Sequence, residues 1–239
     1  MDLHHLSASS IKTWESCRLQ FYADKVLEVP RSEPHPLTRM GSAVHYAFEM
    51  AQTSGSRDAL AHLPQACNDA GVEDPQLVQK AGDLCNVCEQ WGWWDGIDNL
   101  DQCIAEQEFL ISVGAGVLIK GFIDRLDIKG DTARILDIKT QAKKFTAEEL
   151  RTNLQADIYA WATRRMFPNI VEPIRVEFWT LRHEVQAVTR TKDDADATEA
   201  YLAEKGKGIL EWDSATPPPP SPSHLCRWCN YIEDCPEWK

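Results

Sequence analysis

One stretch constrains this chain more than any other: residues 121–140, GFIDRLDIKGDTARILDIKT. Apolar residues alternate through Val117, Ile119, Gly121 and Ile123. Gly130-Asp131 then breaks the alternation, and a second β-prone run covers residues 132–140. A Gly-X pair between two strands suits a two-residue hairpin loop with glycine in its first central position. That loop sets Asp124 opposite Asp137, with the two residues roughly 5 Å apart at the backbone. The period of two along a strand puts Lys139 on the same face as Asp137.

Two carboxylates directly across a ladder repel and destabilise the pair unless something neutralises them. A divalent cation would do so. Hard oxygen ligands on a rigid sheet suit magnesium or manganese, with a substrate phosphate and water completing the shell. Lys139 could then orient or deprotonate an attacking water, or offset charge building on a phosphate. The plainer alternative is an exposed sheet face carrying a surface ion pair.

A chain of 239 residues can bury one sizeable core, with room for a helical insertion. Its 43% hydrophobic and 26% charged content is that of a soluble globular protein. A net charge of -12 argues against a non-specific nucleic-acid coat, which would be basic. It does not exclude an enzyme acting on nucleic acid, because a metal-loaded cleft can be locally positive on an acidic protein. No apolar run approaches the roughly 18 residues that span a bilayer, and the start, MDLHHLSASS, lacks the regions of a signal peptide. The expectation is a cytoplasmic protein without a membrane partner, its eight cysteines reduced thiols or metal ligands.

Taken in order, residues 6–10 offer caps for a helix running through Ile11, Trp14, Leu19 and Phe21, with Cys17 on it. A loop with prolines from Pro30 to Pro36 leads to a helix over about 42–52, where His45, Glu49 and Gln52 share one side. Residues 56–100 read as helical. Their Cys85-x-x-Cys88 pair, which with Cys67 and Cys103 could be drawn as a zinc site, falls on an apolar stripe that core packing explains. Trp91, Trp93 and Trp94 could stack on bases or fill a core.

A strand near Ile104 carries Glu106 and Glu108 on one face and Phe109, Ile111 and Val113 on the other. Joined to the hairpin through Gly114-Ala115-Gly116 it makes a three-stranded meander, and either glutamate could add a third carboxylate. After Thr140, a capping box over 146–149 opens one helix buried along Leu150, Leu154, Ile158 and Trp161. Gln155 and Tyr159 project from its flank toward the carboxylates. A strand over 174–181, a return over 185–188 and a charged helix over about 194–210 follow.

Pro217 to Pro220 form a stiff strap leading to Cys226-Arg-Trp-Cys229 and Cys235. This CxxCx5C tail needs a fourth ligand, either Cys17 or His224. Spacing alone accommodates iron–sulfur or zinc.

Together SASSIKTWESC, GSAVHYAFE, GFIDRLD, ILDIKT, QADIYAW and CRWCNYIEDC resemble, in order and over nearly the whole chain, the RecB-like branch of the PD-(D/E)xK nucleases. The similarity is to members with an iron–sulfur cluster, such as the AddB nuclease domain and the Cas-four-type exonucleases of CRISPR adaptation. It implies an α/β fold, a central mixed β-sheet flanked by helices in a restriction-endonuclease-like core. The fold would carry a helical insertion over 53–100, and a Pro-rich strap and cysteine tail over 216–239 closing on the N-terminal helix, all in a single nuclease domain over 1–239. It also implies a Mg2+- or Mn2+-dependent deoxyribonuclease, an exonuclease on single-stranded DNA or DNA ends.

By the same resemblance His45, Asp124, Asp137 and the backbone carbonyl of Ile138 bind the metal. Asp124, Asp137 and Lys139 are catalytic, and Gln155 and Tyr159 belong to the helix that holds the nucleic acid. Cys17, Cys226, Cys229 and Cys235 hold one 4Fe-4S cluster. The family works in phage recombination, break repair and CRISPR spacer processing, so recombination or CRISPR adaptation proteins are the partners implied, and an oligomer is open. The family's second acidic position is often Glu, and here it is Asp137. The competing classes are a non-catalytic nucleic-acid-binding or scaffold iron–sulfur protein and a zinc-dependent interaction module.

Overall fold

In the computed structural model, residues 5–29, 33–114, 116–212, 215–229 and 231–238 are described; Pro30 and Ala115, named above in loops, lie outside them. The hairpin forms as its sequence dictates. Strands β2 (Leu118–Lys129) and β3 (Thr132–Lys139) pair antiparallel, from Lys129↔Thr132 to Arg125↔Leu136. Gly130 takes a φ of 58° in the turn, the left-handed region that glycine enters without steric cost. This register carries Asp124 toward Asp137, as the two-residue loop requires.

With β1 (Gln102–Ser112), β4 (Ile174–Thr180) and β5 (Glu184–Arg190) these strands make a five-stranded sheet in the order β1-β2-β3-β4-β5. The sheet is mixed, because β3 and β4 run parallel and β4 and β5 antiparallel. Both members of the parallel pair are buried along most of their length, the near-continuous apolar reading expected of strands covered on two faces. A parallel connection needs a crossover. Here two helices supply it, α6 (Ala147–Arg151) and α7 (Leu154–Met166), where the sequence predicted one. The capping box at Thr146 forms, but Asn153 starts a second helix by accepting from the amides of Gln155 and Ala156 at 3.0 and 3.1 Å.

The chain divides into two compact units. The larger comprises Pro34–Glu108 and Phe122–Asp196. In it α3 (Pro36–Ser54), longer at both ends than predicted, packs with α4 (Ala59–Asp69) and α5 (Pro75–Gln90). Their core holds Met40, Phe48, Cys85, Cys88 and Trp93 together with Leu136, Ile138 and Trp179 of the sheet. The Cys85 and Cys88 thiols are fully buried, and burial pushes Cys85 up to about 12, so this CxxC pair is apolar filling. Trp93 is likewise core, edge-on to Phe48 and Trp179. Arg125, with no exposed surface, donates to both carboxylate oxygens of Asp127 at 2.7 and 2.8 Å and to the carbonyl of Trp93.

The smaller unit comprises Met1–Glu33, Phe109–Gly121 and Ala197–Lys239. The predicted first helix is two: α1 (Ala8–Ser16), capped by Ser7, and α2 (Arg18–Lys25). Cys17 sits at the break in extended backbone, φ -155° and ψ 108°, and not on a helix. Trp14 packs edge-on to Phe21 and to Trp212, and Leu6 bridges to Ile119. Val113 falls just past the end of β1. The last long helix, α8, spans Lys192–Leu210. Among the described residues no helix is long and apolar enough to cross a membrane.

Candidate active site

Five elements, α3, β1, β2, β3 and α7, bring the site together. On α3, a Cβ at Gly41 would lie 2.7 Å from Thr140 Oγ1, so only glycine lets the helix come this close to the chain leaving β3. One turn later His45 therefore faces the sheet carboxylates, its Nδ1 3.1 Å from Asp124 Oδ2. That same oxygen accepts from the Ile138 amide at 2.7 Å.

The third carboxylate is Glu106. Ligand atoms of His45, Glu106 and Asp124 all lie within 4.8 Å of one another. Sequence alternation could not separate Glu106 from Glu108. In β1 Glu106 has a φ of 44°, a left-handed conformation rare for a side-chain-bearing residue, and the kink gives it a direction of its own. Glu108 stays exposed.

Asp137 is 1% exposed and stands beside this triplet. Its Oδ1 accepts from Gln155 Nε2 at 3.1 Å, and Gln155 Nε2 also donates to the Tyr159 hydroxyl at 2.7 Å. Lys139 Nζ is 2.6 Å from Asp137 Oδ2 and 5.7 Å from the centre of the Phe178 ring. At that distance the ammonium and Oδ2 form a close, largely buried ion pair. Gln155 thus links Asp137 to the Tyr159 hydroxyl, and Tyr159 is buried.

The electrostatics follow from crowding acids around two cations. Burial, then the Asp124 charge, pushes Glu106 up to about 7. Burial also raises Asp137, reinforced by Asp124 and opposed by Lys139. Burial alone would lower His45, but the charge and hydrogen bond of Asp124 outweigh it and take the imidazole up to about 9. Asp124 is held below the usual range, burial being overcome chiefly by His45. Lys139 is raised, since Asp137 outweighs the cost of its burial. The site stores excess negative charge, the condition under which a cation is bound.

His45, Glu106, Asp124, Ile138 and Lys139 line a cavity of about 610 Å³, whose wall continues through Leu37, Tyr46, Gln141 and Arg182. Tyr46 and Arg182 escaped the sequence reading. Tyr46 lies inside GSAVHYAFE without a role read for it, and Arg182, just past the strand over 174–181, belongs to no motif.

In the smaller unit, Cys17, Cys226, Cys229 and Cys235 all line one pocket walled by Leu19, Pro220, Pro222, Leu225 and Trp238. His224, the alternative fourth ligand, is not on that wall. Burial raises the Cys229 thiol, and the neighbouring Cys17 and Cys226 sulfurs add to the shift.

The fold has known counterparts. A protein from Eubacterium rectale described as a "Putative exonuclease" superposes with a TM-score of 0.64 at 14% identity, over 95% of this chain and 87% of that one. SSO0001 reaches 0.43 at 19% identity, over 92% of this chain and 95% of that one. Protein VC1899 from Vibrio cholerae reaches 0.30 at 11% identity, over 87% and 58%. No curated protein matches this chain. A carboxylate pair on an antiparallel hairpin, with a lysine two residues beyond the second acid, is the arrangement after which one group of enzymes is named, and the sequence pattern of that group matches residues 5–236. The chain belongs to the PD-(D/E)XK nuclease superfamily.

Proposed function

We propose that this nuclease is a Mg2+- or Mn2+-dependent deoxyribonuclease, an exonuclease on single-stranded DNA or DNA ends. The observation carrying this reading is the meeting of His45, Glu106 and Asp124, their ligand atoms within 4.8 Å, beside the buried Asp137–Lys139 pair. The donor set fits a hard divalent ion, being carboxylate oxygens with one imidazole. Asp137 is buried, and burial together with the Asp124 charge disfavours its ionised form, a cost that a bound cation would offset. His45, Glu106, Asp124, Asp137 and the Ile138 carbonyl would hold the ion. Bound there, it supplies Lewis acidity toward a phosphate oxygen and lowers the pKa of water at the site.

The chain's own residues do the positioning. Lys139, held protonated by Asp137, donates hydrogen bonds to the attacking water or to a phosphate oxygen and offsets the charge that develops there. The Ile138 amide fixes the Asp124 carboxylate, and Gln155 fixes Asp137. Gln155 and Tyr159 also present the edge of α7 to the nucleic-acid strand. The choice of DNA rests on the family resemblance, as do roles in recombination, repair or CRISPR adaptation.

The whole chain acts as one nuclease domain in which Cys17, Cys226, Cys229 and Cys235 hold a 4Fe-4S cluster. The four cysteines line one pocket, which supports a shared metal centre, and the choice of iron–sulfur over zinc rests on the family resemblance. The cluster would fasten the tail to the break between α1 and α2.

Incubation with 5′- and 3′-labelled single- and double-stranded DNA, with Mg2+, Mn2+ or EDTA, tests the activity. Stepwise shortening from one end, lost in EDTA and in Asp124→Ala, is the expected pattern. Binding without cleavage under every condition would make the protein a non-catalytic nucleic-acid binder. Iron and sulfide against zinc in anaerobically purified protein decide the cysteine site.

A further inference from the structure

Resting on that nuclease reading, we infer that Arg182 is a substrate-binding residue that grips a backbone phosphate of the nucleic acid, flanking the one being cleaved. Other arginines of the larger unit are committed. Arg125, Arg134, Arg175 and Arg190 each hold a carboxylate, and Arg164 holds the carbonyls of Ile170 and Glu172. Arg182 has neither a hydrogen bond nor an ion pair through its side chain among the described residues, and its Nε is buried without a partner. A guanidinium cannot shed its proton to relieve that cost. Among the described residues its charge is left for an acceptor that enters the cavity.

Its position says which acceptor. Arg182 lines the same cavity as His45, Glu106, Asp124 and Lys139. The other two basic side chains there are spoken for, His45 by Asp124 and Lys139 by Asp137. The backbone around Arg182 is fixed at both ends. Thr180 is in register with Lys139, the Leu181 amide donates to the Lys139 carbonyl at 2.9 Å, and the His183 ring meets the Ala142 carbonyl at 2.9 Å. A guanidinium uncommitted among the described residues, lining the cavity of a phosphodiester-cleaving centre, matches the oxygens of a phosphate. Tyr46, 39% exposed, stands on the same cavity wall, where an unpaired base next to that phosphate could stack.

The test compares Arg182→Gln and Arg182→Lys with the full-length wild type. A fluorescent single-stranded oligonucleotide is titrated by anisotropy in a Lys139→Ala background, and steady-state hydrolysis is followed with Mn2+. Expected for Arg182→Gln is a roughly tenfold weaker Kd and higher KM, with kcat within about twofold. The slope of log affinity against log salt should become shallower by about 0.7. Melting temperature and the rise in melting temperature on adding Mn2+ should stay at wild-type values. Arg182→Lys should recover the salt slope but only part of the affinity, since a point charge lacks the fork. An oligonucleotide Kd unchanged within twofold in Arg182→Gln would overturn the inference. So would a loss of affinity that comes with a lost Mn2+ effect on melting, which would make Arg182 a structural support. If the wild type hydrolyses no nucleic acid, the nuclease reading fails by itself, and the anisotropy measurement still decides Arg182.

Discussion

Replacing Glu106 with Gln should make the metal-free protein more stable at pH 8 and no more stable at pH 4. Glu106 is half-buried in a kinked strand, and its carboxyl is pushed from 4.5 to about 7 by burial and by the Asp124 charge. A raised acid binds its proton more tightly in the folded chain, so stability falls as pH climbs from the unfolded to the folded value and stays low above it. At 1.36 kcal/mol per pH unit, and with part of the shift screened because the carboxyl is partly exposed, the loss amounts to on the order of 1–2 kcal/mol. Glutamine is nearly isosteric and cannot ionise, so Glu106→Gln avoids that loss. For a chain of this size 1 kcal/mol moves Tm by roughly 2–4 °C, which makes the gain at pH 8 roughly 2–8 °C. The pH dependence of His45 runs in the same direction. Raised to about 9, it stabilises below the unfolded value of 6.5 and loses that contribution as pH rises toward 9. Wild type and variant share this loss, so their difference isolates Glu106. The assay is thermal melting in EDTA at pH 4 and 8, repeated with Mn2+, which should stabilise the wild type more than the variant at pH 8. A variant destabilised equally at both pH values would refute the electrostatic argument.

Asp124→Ala, Asp137→Ala and Lys139→Ala should each abolish cleavage in the labelled-DNA assay while leaving circular dichroism unchanged; full activity in any of them would remove that residue from the mechanism. Gly41→Ala drives a Cβ to 2.7 Å from Thr140 Oγ1 and should lower kcat about 10- to 100-fold by displacing His45. Because the clash is with that oxygen alone, Gly41→Ala combined with Thr140→Ala should recover most of the activity, and a double variant as impaired as the single one would locate the fault elsewhere. Cys229→Ala should bleach the visible absorbance of anaerobically purified protein and lower its Tm, and unchanged melting would deny the cysteines a structural role.

The legible parts of this molecule are those fixed by local chemistry. A two-residue turn at Gly130-Asp131 sets a hairpin register, and that register places Asp124, Asp137 and Lys139 without reference to the rest of the chain. The parallel pairing of β3 with β4 joins segments distant in sequence, yet the buried character of both strands and the helical crossover already imply it. Breaks in regular structure were not legible. Cys17 and the Thr152–Asn153 junction sit in stretches whose apolar spacing continues across the break, so periodicity alone reads one helix where two exist. At the second break the Asn153 side chain caps α7, a local signal that apolar periodicity does not register.

Glu106 and Arg182 were hidden for a related reason, and both are side chains left with an electrostatic debt. Strand alternation treats Glu106 and Glu108 as equivalent, because a positive φ at a glutamate has no signature in residue type. Arg182 reads as one more charge at a strand end until its neighbours are known to be paired elsewhere. What singles each out is a relation among groups far apart in sequence: a carboxyl crowded by Asp124, and a guanidinium passed over by every described carboxylate. A fold maintains such uncompensated groups at a cost to its own stability. Their gathering in one cavity, acids on one wall and a free cation on another, is the charge distribution that a metal ion and a phosphodiester would together neutralise.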